Sequence, residues 1–229
     1  MDQKTPNGIL IVDKPKGITS HDVVDVVRRL LKVRKVGHAG TLDPIATGVL
    51  VILVGKATKK SNLLMNNDKI YEVQMKLGIT TDTGDAFGKV IKVSKMQKFD
   101  RDLIEKAIIS FRGEIKQLIP MFSAAKFKGR SLYKWARKGI IVPRKVHTVI
   151  IKDISIKEIS PPDVTFSVLC SKGTYIRQLC IDIGERLECG AHMTGLRRIK
   201  AGDFHISCAI ELEKLKSMTR DKLYEVLMK

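Results

Sequence analysis

The feature of this sequence that most constrains its fold is a series of short apolar runs with the spacing of β-strands. Residues 69–78 (KIYEVQMKLG) alternate, so that Tyr71 and every second residue after it share an apolar face. Other runs of strand length lie near residues 8–13, 49–55, 89–93, 146–156, 164–170, 192–199 and 203–208. The runs come in hairpin-like pairs rather than in regular alternation with helices. They therefore predict an α+β fold in which helices flank a large mixed, mainly antiparallel sheet.

Apolar residues spaced three and four positions apart predict helices in other segments. One helix is predicted from Ser20, its N-cap, to about Lys32, and a second from Asp100 to Gly113. Residues 174–187 give a third amphipathic pattern, and a polar helix is predicted at the C-terminus. The length of 229 residues permits one large domain or one domain with a small appendage.

Composition argues against a membrane protein and against a metal site. The most apolar stretch, residues 45–55, has about eleven residues and is too short to cross a bilayer. The first residues do not have the form of a signal peptide. The four cysteines lack the spacing of metal ligands; they are Cys170, Cys180, Cys189 and Cys208. We therefore expect reduced thiols in a cytoplasmic protein.

The charge of the chain suggests a polyanionic partner. Lys and Arg number 42 against 24 Asp and Glu, which gives a net charge of +18. Residues 115–152, here called the basic segment, contain no acid. Its ten cations include Lys126, Lys128, Arg130, Lys134 and Arg137, and its rings are Phe122, Phe127, Tyr133 and Trp135. Interleaved cations and rings suit a nucleic-acid surface, although a solvated basic face with rings packed into the core fits the same pattern.

Candidate reactive residues have an ordinary reading as well as a functional one. Asp43 lies in a glycine-bounded loop, HAGTLDPIATG, where a carboxylate can reach a ligand, but an exposed turn residue fits too. Taken alone, Tyr71 is by default a core tyrosine and Arg177 a solvated arginine, although an arginine there could also hold a carboxylate. His38 and Lys14, taken alone, read as loop residues.

Several stretches taken together resemble the bacterial tRNA pseudouridine-55 synthases. They keep the order that they have in that family and extend from about residue 8 to 199. The matching stretches are GILIVDKPKGITSHDVV, VGHAGTLDPIATGVLVI, GKATK, YEVQMKLGITTDTGDAFG, GTYIRQLCIDIGERL and GAHMTGLRR. The resemblance implies a pseudouridine-synthase-like fold and an enzyme that isomerises one uridine in the T-arm of tRNA.

The resemblance also implies roles for individual residues. Asp43 is the expected nucleophile, Tyr71 the ring that stacks on the target base, and Arg177 the partner of the aspartate. Tyr175 and Leu196 are expected to contact the base.

Two further residues take supporting roles in the resemblance. His38 is expected among the residues that fill the space left by the displaced nucleotide, and Lys14 near the floor of the pocket. The basic segment coincides with the RNA-gripping insertion of the family.

The expected chemistry follows from the properties of a carboxylate. An aspartate free in water is ionised at neutral pH, so it needs no activating base. It can attack C1′ of the ribose or C6 of the uracil, and the sequence leaves both open. The target base must first be flipped out of the folded arm. The isomerisation is redox-neutral and adds no group, so no cofactor is expected.

The resemblance also implies a domain organisation. A catalytic domain is expected over residues 1–210, and a short helical extension over 211–229. About 20 residues after Ile210 are too few for the C-terminal RNA-binding PUA domain of many family members, so we expect that domain to be missing. The default expectation is a monomer. The alternatives are an RNA-binding or tRNA-folding module without turnover, and a synthase that acts on another RNA.

Overall fold

A computed structural model describes residues 6–94 and 100–228 of the chain. It divides into two compact units. The first unit comprises Met1–Tyr71 and Leu196–Lys229, and the second comprises Glu72–Gly195. Two strands, β4 (Lys69–Leu77) and β12 (Ala191–Ala201), contribute residues to both.

Strands account for most of the regular structure in the described residues. In chain order they are β1 (Gly8–Lys14), β2 (Val36–His38), β3 (Ala46–Val54), β4, β5 (Ile79–Thr81), β6 (Val90–Val93), β7 (Gly113–Leu118), β8 (Lys126–Phe127), β9 (Arg130–Ser131), β10 (Val146–Ser160), β11 (Asp163–Cys170), β12, β13 (Phe204–His205) and β14 (Ile210–Glu211).

The helices are mostly short. They are α1 (Ser20–Leu31), α2 (Ser61–Met65), α3 (Arg101–Ile109), α4 (Leu132–Ala136), α5 (Ile176–Arg186), α6 (Leu212–Ser217) and α7 (Arg220–Glu225), with 3-10 turns at Gly55–Lys60 and Ile206–Cys208.

In the first unit, the long apolar strand β3 organises the sheet. It pairs antiparallel with β1 and β2, and parallel with the last residues of β12. β14 adds a parallel strand beyond β1. A buried apolar cluster forms on these strands, and it includes Ile11, Val49, Val51 and Leu53. The loops at the two ends of β3 are therefore attached to a strand whose residues are all buried except Thr47.

In the second unit, β10 pairs antiparallel with β11 on one side and with β7 on the other. The hairpins β5–β6 and β8–β9 form separate two-stranded sheets. Helix α5 buries its apolar stripe, with Ile176, Leu179, Cys180 and Ile183 all below 5% exposed. This packing fixes the first turn of α5, which carries Arg177.

The predicted fold class is confirmed by this mixed sheet with its flanking helices. The alternation of β4 is also confirmed, because Tyr71, Val73, Met75 and Leu77 are buried while Glu72 is exposed. The period-two pattern survives because one face of the strand packs on apolar side chains.

Three local predictions are wrong. The N-cap of α1 is Thr19, not Ser20: its hydroxyl accepts from the Asp22 backbone N–H while the Asp22 carboxylate accepts from the Thr19 backbone N–H, a reciprocal capping box. The predicted strand over 203–208 ends at His205 and gives way to a 3-10 turn. The predicted C-terminal helix is two helices, because Thr219 caps a new one.

The structure agrees with the expected state of the cysteines and adds two negative findings. All four cysteines are free, and Cys208 alone among them is exposed. Within residues 6–94 and 100–228, no helix has the length and apolar character needed to cross a bilayer. The same residues contain no group of three or more His, Cys, Asp or Glu side chains able to hold a metal ion.

Candidate active site

Asp43 lies in the loop that joins β2 to β3 in the first unit, and its side chain is half-buried. The loop backbone is fixed on both sides of this residue. The Asp43 carbonyl accepts a hydrogen bond of 3.0 Å from the Ala46 N–H, and the Pro44 carbonyl accepts one of 2.7 Å from the Gly17 N–H. The carboxylate is thus carried by a closed turn rather than by a freely moving loop.

Two buried polar side chains hold the same loop from below. The Ser20 hydroxyl donates to the Leu42 carbonyl (3.0 Å) and accepts from the Leu42 N–H (2.8 Å). The guanidinium of Arg198, 1% exposed, donates to the carbonyls of Val49 (2.6 Å), Gly40 (3.0 Å) and Thr41 (3.4 Å). Buried polar groups with satisfied hydrogen bonds rigidify their surroundings, so these two residues fix the position from which Asp43 projects.

Gly48 allows β12 to approach the Asp43 loop closely. Its φ of +98° lies in the left-handed region, and a Cβ there would lie 2.3 Å from the Arg198 carbonyl oxygen. Only glycine fits both conditions, which explains the glycine after IAT in the loop motif.

Lys14 lies beneath the loop and is electrostatically coupled to Asp43. Its side chain is fully buried, and its ammonium donates to the carbonyls of Pro15 (2.9 Å) and Ile18 (2.7 Å). Burial lowers the pKa of Lys14 to about 8, while attraction to the Asp43 carboxylate opposes that shift. The structure therefore places a buried cation within electrostatic reach of the Asp43 carboxylate.

His38 ends β2, immediately before the Asp43 loop, and is half-buried. Burial lowers its pKa, and the nearby positive charge of Arg198 lowers it further, so the ring is neutral at pH 7. Its Nδ1 is buried and has no hydrogen-bond partner among the described residues.

Leu196 and Tyr71 occupy strands of the first unit. Leu196 pairs with Ala46 across the parallel ladder of β12 and β3. Ala46 lies three residues after Asp43 in the chain. The carbonyl of Leu196 accepts a bond of 3.4 Å from the Thr47 hydroxyl. Tyr71 lies on the buried face of β4 and is 8% exposed.

Arg177 lies in the second unit, in the first turn of α5, and is 4% exposed. The solvated reading is therefore wrong. Its guanidinium donates to the carbonyls of Thr83 (3.0 Å) and Phe122 (2.7 Å), and its Nε lies 3.8 Å from a carboxylate oxygen of Asp85. The side chain is buried because α5 packs against the loop at residues 82–88, a long-range contact that helical spacing cannot reveal.

The loop at residues 82–88 positions this arginine. Asp85 is 7% exposed, and its carboxylate accepts from the Thr83 hydroxyl (2.8 Å) and the Phe87 N–H (3.0 Å). A Cβ on Gly84 would lie 2.7 Å from Ile181, so the glycine lets the loop approach α5. Asp85 was not singled out in the sequence analysis. Its place inside the matching stretch YEVQMKLGITTDTGDAFG was the available signal.

Tyr175 immediately precedes α5 and is held by two residues that the sequence did not single out. The Gln117 side chain, 0% exposed, accepts from the Tyr175 N–H (3.0 Å) and donates to its carbonyl (3.2 Å). The His147 ring stacks on the Tyr175 ring, with centroids 5.6 Å apart and planes 13° apart. Gln117 and His147 face each other across the β7–β10 ladder. One cross-strand pair thus sets both the backbone and the ring of Tyr175.

The basic segment presents its cations to solvent. The five predicted RNA-binding residues are all exposed: Lys126, Lys128, Arg130, Lys134 and Arg137. Three of the cations lie over rings of the same segment: Lys128 over Phe127 (5.7 Å), Arg130 over Trp135 (5.1 Å) and Arg137 over Tyr133 (5.6 Å). None of the four rings is fully buried. The alternative interpretation, in which these four rings pack into the core, is therefore wrong.

Comparison with known proteins places the chain in a family. The model of the TruB family pseudouridylate synthase N-terminal domain matches residues 28–176. The chain belongs to this TruB family. A second family model, the tRNA pseudouridylate synthase B C-terminal domain, matches residues 177–228. The resemblance inferred from the sequence motifs is confirmed.

Two curated relatives of this TruB family chain carry the same name. The tRNA pseudouridine synthase B of Syntrophotalea carbinolica is 47% identical over 222 residues, which cover 97% of this chain and 72% of the relative. The protein of the same name from Clostridium kluyveri is 51% identical and covers 92% and 73%, respectively.

Solved structures agree with this assignment. A Cbf5–Nop10–Gar1 complex contains a chain that matches with a TM-score of 0.72 and 34% identity. An H/ACA RNP bound to a substrate RNA containing 2′-deoxyuridine matches with 0.69 and 31%. Each match covers 91% of this chain, which spans only about half the length of the matched chains, 53% and 52%.

Proposed function

We propose that the chain isomerises a uridine of tRNA to pseudouridine, at position 55 of the T-arm, with Asp43 as the nucleophile. The observation that carries the proposal is the half-buried carboxylate of Asp43, held on a closed turn in a chain of the TruB family. Fixing a reactive group in place before the substrate arrives lowers the entropic part of the barrier.

The reaction breaks the N1–C1′ glycosidic bond and forms a C5–C1′ bond. The proton on C5 is lost and N1 gains one, so no electrons are transferred to an acceptor and no cofactor is required. The carboxylate of Asp43 attacks either C1′ of the ribose or C6 of the uracil, and both routes give a covalent adduct that later breaks down.

We propose that Arg177 pairs with the Asp43 carboxylate and that Tyr71 stacks on the target base. The support for Arg177 is its burial and its two carbonyl partners, which hold the guanidinium in one orientation. A fixed guanidinium is well matched to a carboxylate because its N–H groups form a planar fork. The support for Tyr71 is its place in the stretch YEVQMKLG, which matches the family, at the beginning of β4.

The base-binding roles are proposed for Tyr175, Leu196, His38 and Lys14. Tyr175 is supported by the pair Gln117 and His147, which fix its backbone and ring. We further propose that the basic segment grips phosphates of the T-arm. Such contacts offset the roughly few kcal/mol needed to flip a base out of its stack.

The proposal is tested with Asp43→Asn and a matched variant, Asp203→Asn. Both changes remove one carboxylate with little change of shape, and Asp203 is an exposed turn residue of the same unit. Turnover is followed as tritium released from C5-labelled uridine in full-length tRNA. Position-resolved mapping of pseudouridine identifies the nucleotide, and binding is measured separately by filter retention.

We expect Asp43→Asn to abolish tritium release while it changes tRNA affinity less than about threefold, and Asp203→Asn to behave like the unaltered protein. Unchanged turnover by Asp43→Asn would refute the nucleophile. Binding without turnover by the unaltered protein would favour an RNA-binding or tRNA-folding module. Modification of another RNA in preference to tRNA would favour the third candidate.

Three coarser proposals accompany this function. Residues 1–210 are proposed to form the catalytic domain, with 211–229 as its helical extension. The protein is proposed to act as a monomer, which size-exclusion chromatography with light scattering tests directly. We also propose that it works in the cytoplasm, where its tRNA substrate is found.

A further inference from the structure

A second basic surface lies in the first unit, at a distance from Asp43. It is an open cleft of about 820 Å³, here called the basic cleft, and its lining residues within 6–94 and 100–228 include no acid. Its charged and aromatic lining residues are Lys32, Arg34, Lys35, Lys56, Arg220 and Tyr224. Five cations around one cleft repel each other, so the arrangement is most stable when an anion is bound.

The lysines and the arginine at the rim of the basic cleft are not used by the fold. Lys32, Arg34, Lys35 and Lys56 are exposed. Within residues 6–94 and 100–228, none of these four side chains takes part in a hydrogen bond or an ion pair. Their charges are therefore available to a ligand.

The backbone beneath these cations is rigid. Lys32 ends α1 with a left-handed φ of 53°, and its N–H bonds to the carbonyls of Arg28 and Arg29. The Lys35 carbonyl accepts a bond of 2.8 Å from the Gly55 N–H, which joins the loop at residues 32–35 to the turn that carries Lys56. The two groups of cations are thus held beside each other before any ligand binds.

Arg220 and Tyr224 add a flat surface to the basic cleft. The guanidinium carbon of Arg220 lies 5.4 Å from the centre of the Tyr224 ring. The Nε of Arg220 is buried and has no hydrogen-bond partner among the described residues. A guanidinium over a ring is a common platform for nucleotides, since it offers both a stacking face and donors to phosphate.

The basic cleft lies at the opposite end of β3 from Asp43. β3 begins at Ala46, three residues after Asp43, and ends at Val54, next to Gly55 and Lys56 of the cleft. Nine residues of strand span roughly 25 Å at the ordinary rise. An RNA that places its target base at Asp43 can therefore reach the cleft only with nucleotides far from that base.

We propose that the basic cleft binds backbone phosphates of tRNA that lie outside the T-arm hairpin. The inference rests on the proposed function, because it assumes that the target uridine is bound at Asp43. It predicts that the cleft contributes to the affinity for whole tRNA and contributes nothing to the affinity for the isolated hairpin.

The test is the variant Arg34→Gln/Lys56→Gln, compared with Lys214→Gln/Lys222→Gln. All four side chains are exposed in the first unit, and each variant removes two positive charges. Affinity and tritium release are measured on full-length tRNA and on the isolated T-arm hairpin, at several salt concentrations. Turnover on the hairpin also shows whether each variant is folded.

We expect Arg34→Gln/Lys56→Gln to bind full-length tRNA about tenfold more weakly and to reduce the salt slope by about 1.5. Its affinity and turnover on the hairpin should match those of the unaltered protein. An equal loss on both RNAs, or no loss beyond that of the control variant, would overturn the proposal. Failure of the proposed function is distinguished by the unaltered protein, which would then release no tritium from either RNA.

Discussion

At the scale of single residues, the first unit buries polar groups around Asp43 rather than leaving them in water. Lys14 and Arg198 are at most 1% exposed, and both donate to backbone carbonyls close to the loop. Burying a cation has a cost that hydrogen bonds only partly offset. For Lys14, attraction to the Asp43 carboxylate offsets part of this cost.

The buried ammonium of Lys14 predicts a particular dependence of stability on pH. Its pKa is about 8 in the folded protein and near 10.5 in the unfolded chain, so above pH 8 the unfolded state holds more protons. The free energy of unfolding then rises with pH. We expect the unaltered protein to gain about 1 to 2 kcal/mol relative to Lys14→Met between pH 7.5 and 9.5.

Urea denaturation at a series of pH values measures this difference. The control is Lys157→Met, because Lys157 is an exposed residue of β10. Its difference from the unaltered protein should not vary with pH. A constant difference for Lys14→Met would show that its ammonium titrates as it does in water.

At the scale of elements, the contact between β3 and β12 fixes the Asp43 loop. Glycine at position 48 permits the backbone of β12 to approach β3 this closely. A matched pair of substitutions isolates the contact. Gly17 and Gly48 have φ values of +95° and +98°, but a Cβ at Gly17 meets nothing within 4 Å. We expect Gly17→Ala to lose about 1 kcal/mol of unfolding free energy from backbone strain, and Gly48→Ala at least about 3 kcal/mol.

Chemical denaturation of both variants tests this expectation. Equal losses would mean that β12 moves away from residue 48 without cost. Loss of turnover in Gly48→Ala, with tRNA binding retained, would show in addition that the position of the Asp43 loop depends on this contact.

Local patterns predicted the elements better than the contacts between them. The alternation of β4 and the apolar stripes of α1 and α5 are short-range features, and the structure confirms them. Arg177 donates a hydrogen bond to Thr83, 94 positions earlier in the chain. Tyr175 donates one to Gln117, 58 positions earlier. No periodicity encodes such pairs. The motifs predicted Asp43, Tyr71 and Arg177 as site residues, while the contacts that hold the Asp43 loop and Arg177 are visible only in the structure.

At the scale of the whole molecule, the charge of +18 makes RNA binding depend strongly on salt. If about six phosphates are contacted, the logarithm of affinity falls against that of salt concentration with a slope of about −4 to −5. The variant Lys126→Gln/Lys128→Gln/Arg130→Gln removes three exposed cations of the basic segment. We expect it to reduce the slope by about 2 and to weaken hairpin binding.

Salt titration on the isolated T-arm hairpin measures this effect. The control, Lys89→Gln/Lys106→Gln/Lys157→Gln, removes three exposed lysines from elsewhere in the second unit. A similar change in the two triple variants would mean that only the total charge matters. That outcome would remove the basic segment from the proposed interface.

The hydrogen bond from Arg177 to the Phe122 carbonyl links a residue of the proposed active site to the basic segment. Phe122 belongs to the basic segment, so one guanidinium is anchored both to the loop at residues 82–88 and to the polypeptide that is proposed to hold RNA. If Phe122 moves when the basic segment binds RNA, its hydrogen bond to Arg177 changes, and the guanidinium moves with it. Because such linkage is reciprocal, a substrate that contacts Arg177 should in turn slow the amide exchange of the basic segment.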